Sequence, residues 1–77
     1  MPDSGAIVLG FGSVWRLGVN VTRVDPGSLS IVATIPVGVY GYAAAAGLRR
    51  LWVVGYRGVV AVDARLNRAG GPPIRIG

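Results

Sequence analysis

The apolar residues of this chain fall in short runs separated by glycine and proline. Val14 to Leu17 and Leu51 to Val54 each hold a Trp within an apolar stretch. Val21, Arg23, Val24 and then Val60, Val62 lie in segments rich in β-branched residues, and Ser30 to Val37 is a longer run of the same kind, broken only by Pro36. Such residues suit a pleated, half-buried surface. The breaks are Gly18, Pro26-Gly27, Gly38, Gly55 to Gly58 and Gly70-Gly71-Pro72-Pro73, which punctuate a chain into turns. Short strands at regular spacing with turn signals between them predict an all-β protein. The predicted strands lie near 6–9, 13–17, 20–24 and 30–36, then near 42–46, 51–55, 59–63 and 72–76. The ambiguous element is Tyr42-Ala43-Ala44-Ala45-Ala46, because Ala is the best helix former. The run is too short for a stable helix, so strand is predicted.

The pattern repeats. Gly12-Ser13-Val14-Trp15 aligns with Arg49-Arg50-Leu51-Trp52, Val21-Thr22-Arg23-Val24-Asp25 with Val59-Val60-Ala61-Val62-Asp63, and Ile35-Pro36-Val37-Gly38 with Ile74-Arg75-Ile76-Gly77. The offset grows from 37 (15 to 52) through 38 (25 to 63) to 39 (38 to 77), which single-residue loop insertions explain. A period near 40 is in the range of propeller blades. The predicted organisation is a tail over 1–5, one repeat over 6–38 and a second over 39–77.

The residues that mark the repeat also resemble a known family. Gly12-Ser13-Val14-Trp15, Val21 to Pro26 and Ile31-Val32-Ala33-Thr34-Ile35-Pro36-Val37-Gly38 resemble the YVTN-type β-propeller repeat and are similar to repeats of the virginiamycin B lyase (streptogramin lyase) type. The second repeat follows through Leu51-Trp52-Val53, Val60 to Asp63, Asn67 and Ile74 to Gly77, but has Ala64 after Asp63 in place of Pro, and Gly41 where the family usually has Pro. The resemblance covers about residues 6–77 and implies two four-stranded antiparallel β-propeller blades, a partial propeller. It implies small side chains at the innermost strands, which crowd a central channel, and it implies an exported, periplasmic or extracellular parent protein. Trp15 and Trp52 are then expected to fill the apolar layer between blades, and Asp25 and Asp63 to open turns by accepting backbone amides. Gly38 and Gly77 close the two units.

Composition narrows the chemistry. The net charge is +5, all of the cations are Arg, the acids are Asp3, Asp25 and Asp63, and there is no Cys, His, Lys or Glu. No disulfide and no zinc set of Cys and His can form. The lyase family's His base and acidic metal ligands have no counterpart here, so no catalytic residue, metal or cofactor is assigned. Any such groups would have to lie in other blades of a lyase-like parent. No Gly-rich stretch has the Lys-Ser or Lys-Thr of a phosphate loop. No apolar run reaches the roughly 20 residues of a membrane helix, and Met1-Pro2-Asp3-Ser4-Gly5 is not a signal-peptide start. Arg49-Arg50 and Arg57 fall in turns that propeller connectivity puts on opposite faces, which disfavours a nucleic-acid stripe.

Propeller connectivity also brings three loops to one face: Gly18-Val19-Asn20, Gly38-Val39-Tyr40-Gly41 and Gly55-Tyr56-Arg57-Gly58. Asn20, Tyr40, Tyr56 and Arg57 are therefore the candidate contacts for a protein or small-molecule ligand, Tyr and Arg being enriched at such sites. Propellers close with about 4–8 blades, and two blades leave two open faces. The expected partners are further blades of a parent chain or copies of the same chain. The bare fit of the repeats to the chain ends leads to the expectation of a fragment or remnant over a ring-forming oligomer.

Overall fold

The computed structural model describes residues 6–56 and 58–75. Strands β1 (Ile7–Gly10), β2 (Ser13–Arg16), β3 (Asn20–Asp25) and β4 (Ser30–Pro36) form an antiparallel sheet in chain order. Strands β5 (Gly41–Gly47), β6 (Arg50–Gly55), β7 (Gly58–Asp63) and β8 (Arg68–Ala69) form a second, with β9 (Ile74–Arg75) also paired to β7. The protein is all-β: no helix occurs among the described residues, and neither sheet closes on itself. The alanine run is strand, with Ala44, Ala45 and Ala46 opposite Val53, Trp52 and Leu51.

One predicted element differs. In place of a single strand near 72–76, the fourth position of the second sheet is split into β8 and β9, both on β7. Pro72 and Pro73 have no N–H to donate to a ladder, so the chain leaves the sheet and rejoins it at Ile74. The Gly70 amide still reaches the Ala61 carbonyl at 2.7 Å. The first sheet carries a milder irregularity at the same place, a register shift between Arg23 and Val24.

The turns repeat as closely as the strands. Gly10 faces Ser13 and Gly47 faces Arg50, so Phe11-Gly12 and Leu48-Arg49 are two-residue hairpin loops. All four residues have positive φ, from 51° to 70°, as the primed turns that match strand twist require. The loops after Asp25 and Asp63 close with Leu29 N–H on the Asp25 carbonyl (2.7 Å) and Asn67 N–H on the Asp63 carbonyl (2.9 Å). These i to i+4 closures are one residue wider than a simple β-turn. Leu29 and Asn67 close the loops at φ 60° and 56°. Asn takes this left-handed conformation readily, and Leu takes it at a cost.

The core lies between the sheets: Trp15, Leu17, Val21, Ile35 and Val37 from one, Leu51, Val53, Val60, Val62 and Ala64 from the other. The alternation within each sheet gives the stacking direction. In β2 the side of Trp15 and Leu17 is buried; in β6 the side of Leu51 and Val53 is buried, and Trp52 lies on the other side, half-buried. The expected equivalence of the two Trp residues holds in their hydrogen bonds: Trp15 Nε1–H donates to the Gly10 carbonyl (2.9 Å) and Trp52 Nε1–H to the Gly47 carbonyl (3.2 Å). It does not hold in burial, because the repeats stack head to tail. A pair of sheets related by a two-fold axis would bury both rings.

Contact between the sheets is closest where small residues line up. A Cβ on Gly10 would lie 2.8 Å from Ala46 Cβ, and one on Gly41 would lie 3.6 Å from Leu17 Cβ across the seam and 2.6 Å from Val53 Cγ1 of its own sheet. The Gly41 N–H donates to the Gly18 carbonyl at 2.9 Å, a tie between the repeats that proline could not make.

Two mutational outcomes follow from this architecture. Leu29→Gly removes a left-handed strain from a side chain that is 80% exposed, and is expected to raise stability by about 1 kcal/mol, read as a higher thermal midpoint. Trp15→Ala is expected to cost about 3–5 kcal/mol in urea unfolding and Trp52→Ala only about 1–2 kcal/mol. Measured where the chain is monomeric, equal losses would contradict the head-to-tail stacking.

Candidate functional site

The β2–β3 loop and the β4–β5 loop meet at one end of the stack. Gly38, at φ 78°, turns the chain out of β4, and Val39 then packs where a Cβ on Gly55 would lie 2.7 Å from Val39 Cβ. This pins the next residue, Tyr40, beside the first sheet. Tyr40 and Asn20, both exposed, line one cavity of about 370 Å³ together with Arg16, Leu17, Gly18, Val19 and Thr22. Two of the predicted contacts are therefore brought together. Tyr56, which is 75% exposed, lines an adjoining cavity of about 350 Å³ with Gly38, Val39 and Arg75. Arg57, the fourth predicted contact, lies outside the described residues, as does the marker Gly77.

Arg16 and Thr22 belong to this site and were not among the predicted contacts. They project from β2 and β3 on the side away from the core, opposite each other in register. The signal was available: they alternate with the apolar Trp15, Leu17 and Val21, next to the loop that carries Asn20. Their cross-strand pairing became visible only once register was known.

A second polar constellation has a different character. Arg23 stacks over Trp15, its guanidinium carbon 4.6 Å from the ring centroid. Its Nε–H donates to Ser13 Oγ (2.7 Å) and its Nη1 to Asn67 Oδ1 (2.7 Å) and the Ala64 carbonyl, while Nη2 reaches the Phe11 carbonyl at 3.3 Å. Ser13 and Phe11 belong to the first repeat, Ala64 and Asn67 to the second. Arg23 is therefore a strut across the inter-sheet seam, with its donors aimed at protein acceptors. Charge-assisted bonds of this kind are each stronger than neutral ones, and stacking on Trp adds a cation–π term. Among the described residues no buried side-chain polar atom lacks a partner.

The acids are turned toward backbone. Asp25 Oδ1 accepts the Gly27 amide at 2.9 Å, and Asp63 Oδ1 accepts the Arg65 and Leu66 amides at 2.8 and 3.0 Å. The Leu66 amide, ahead of partial burial acting the other way, and then the Arg65 amide and the charges of Arg65 and Arg50, hold the Asp63 carboxyl below its ordinary value. Each carboxylate closes its own turn, and no group of three or more His, Cys, Asp or Glu gathers among the described residues. No helix there is long and apolar enough to cross a membrane.

Compared with models of protein families, with curated proteins and with solved structures, the chain matches none.

The Asp63 turn gives a pH test. A carboxyl whose folded value lies below its unfolded value, near ~3.9 for Asp, contributes stability that is fully present above the unfolded value. That contribution fades as pH falls through the folded value. Asp63→Asn is expected to lower the urea midpoint at neutral pH and to leave a shallower fall between neutral and acid pH than in the unmodified chain. A parallel fall in both would mean that Asp63 carries no such linkage.

Proposed function

We propose that the chain is a repeat-scaffold module of β-propeller type, its two blades supplied by residues 6–38 and 39–77, which presents the Asn20–Tyr40 cavity to a protein or small-molecule ligand. One observation carries this: the two sheets use the same hairpins, the same Trp-to-carbonyl bond and the same Asp turn, and they stack in one direction. Repeats that stack in this way form a wall, and the loops at its end are free to vary without disturbing the core. The likeness to YVTN-type and virginiamycin B lyase-like repeats is adopted at the level of that scaffold. With no His and no Glu in the chain, the catalytic groups of a lyase would have to be supplied by further blades.

The cavity lining suits a polar ligand carrying a ring or a peptide group. Tyr40 offers an aromatic face, Asn20 an amide that both donates and accepts, and Thr22 a hydroxyl, beside the cationic Arg16. Tyr56 extends the surface on the far side of Gly38-Val39.

Titration of the isotopically labelled chain with a panel of disaccharides and short tyrosine- or aspartate-containing peptides tests the proposal by NMR. Perturbed amides are expected to cluster on residues 16–22 and 38–41, and Tyr40→Ala is expected to weaken the best binder at least tenfold, about 1.4 kcal/mol. Perturbations centred on the Asp25 and Asp63 turns, or no response to any of the panel, would overturn it.

A further inference from the structure

The seam between the two repeats is a worked example of how one sheet of this protein covers another, and both of its surfaces recur at the ends of the stack. The forward surface of the first sheet carries Trp15, Leu17, Val21 and Ile35, all buried. The corresponding positions of the second sheet are Trp52, Val54, Val59 and Ile74, which share one side of β6, β7 and β9 by register. The chemistry is kept position by position: Trp for Trp, aliphatic for aliphatic. Yet Trp52, Val54 and Val59 are only half-buried and Ile74 is 59% exposed. A surface polar in its own right would have no reason to keep this composition.

The opposite surface is also on the chain. The side of the second sheet that receives Trp15 is built from Leu51, Val53, Val60 and Val62. The matching side of the first sheet is the open one: Val14, Arg16, Thr22 and Val24 stand at the equivalent positions, and Ile7, Leu9 and Ile31, 58%, 73% and 68% exposed, surround half-buried Val14 and Val24. One end of the stack thus lacks the sheet that the other end provides.

The strut has a counterpart. In the internal seam Ser13 and Arg23 touch beside Trp15. At the equivalent positions of the second repeat stand Arg50 and Ala61, and both line a cavity of about 170 Å³ with Trp52. The arginine has changed strand within the same pair of positions, so the open Trp keeps a guanidinium at its side. Arg23 crosses the seam to the Ala64 carbonyl of the Asp63 turn. In a copied seam the acceptor facing Arg50 is the Pro26 carbonyl of the Asp25 turn.

We infer that the Trp52 surface of one chain docks on the Ile7–Leu9–Ile31 surface of a second copy, repeating the internal seam between chains. The contact is heterologous, since different surfaces meet, and it therefore propagates until a ring closes. With about 4–8 blades in a closed propeller, that means two to four copies. This rests on the stacked-repeat part of the proposal above, and because Arg16 and Thr22 stand on the same open side of the first sheet, a docked copy and a ligand in the Asn20–Tyr40 cavity would compete.

Sedimentation velocity on the full chain, with two single variants and their mixture, tests it. Leu9→Arg blocks one surface and leaves the other intact. Ala45→Arg, at an exposed position opposite Trp52 in register, does the reverse. The unmodified chain is expected at two, three or four times 7.9 kDa, about 4–8 blades in all, each variant alone as a monomer, and the equimolar mixture as a one-to-one dimer, since each variant supplies the surface that the other lacks. A folded monomer of the unmodified chain would overturn the inference while leaving the scaffold proposal standing. An unfolded monomer would overturn both. A multimer that survives one variant and not the other is a symmetric face-to-face dimer, and equally overturns it.

Discussion

Trp15 is buried between two sheets, and its counterpart Trp52 is not, because the repeats stack in a single direction. The rest of the structure depends on that constraint. It selects which alternate residues of each strand face the core: Trp15 and Leu17 on one side of the seam, Leu51 and Val53 on the other. It also leaves two unlike apolar surfaces at the ends. A sheet of this composition cannot leave such a surface in water without loss of the burial that offsets chain entropy, and a chain of this length buries only about 60% of its unfolded surface.

The seam is fastened by few but unlike interactions. Trp15 is the largest of the fully buried side chains in the apolar contact. Arg23 covers that ring and spends its donors on acceptors from both repeats, which aligns the two turns as well as the two sheets. The Gly41 amide bonds the Gly18 carbonyl at the end where the loops gather. Because the last of these also sets where Tyr40 begins, the packing of the scaffold and the shape of the Asn20–Tyr40 cavity are linked through one short segment, residues 38–41.

Charged residues divide by the element they stand on. Asp25 and Asp63 open turns and give their oxygens to backbone amides, which ties each carboxylate to its own loop. Arg23 stands mid-strand on the buried side and becomes a strut. Arg16 ends β2 on the other side, opposite Thr22, and lines the cavity with Tyr40. The same residue type therefore serves packing or surface according to which side of a strand it occupies.

Local chemistry determined much of this protein from the sequence alone. β-Branched runs and Gly-Pro breaks fix the strands, and a near-40-residue offset fixes the two units, because strand propensity and turn geometry act over a few residues. The Trp and Asp markers fall at matching places in both sheets for the same reason. Pro72-Pro73 held the information that the last strand would break, since neither can donate to a ladder, although the rejoining at Ile74 depended on the register with β7. What only the tertiary structure decided is the direction of stacking, and with it the unequal burial of Trp15 and Trp52, the strut role of Arg23 and the inclusion of Arg16 and Thr22 in the cavity. A strand's alternation says that one side is buried but not which sheet covers it. The partner is chosen by contacts between residues some 40 positions apart, such as Arg23 with Ala64 and Asn67, and no local pattern encodes those.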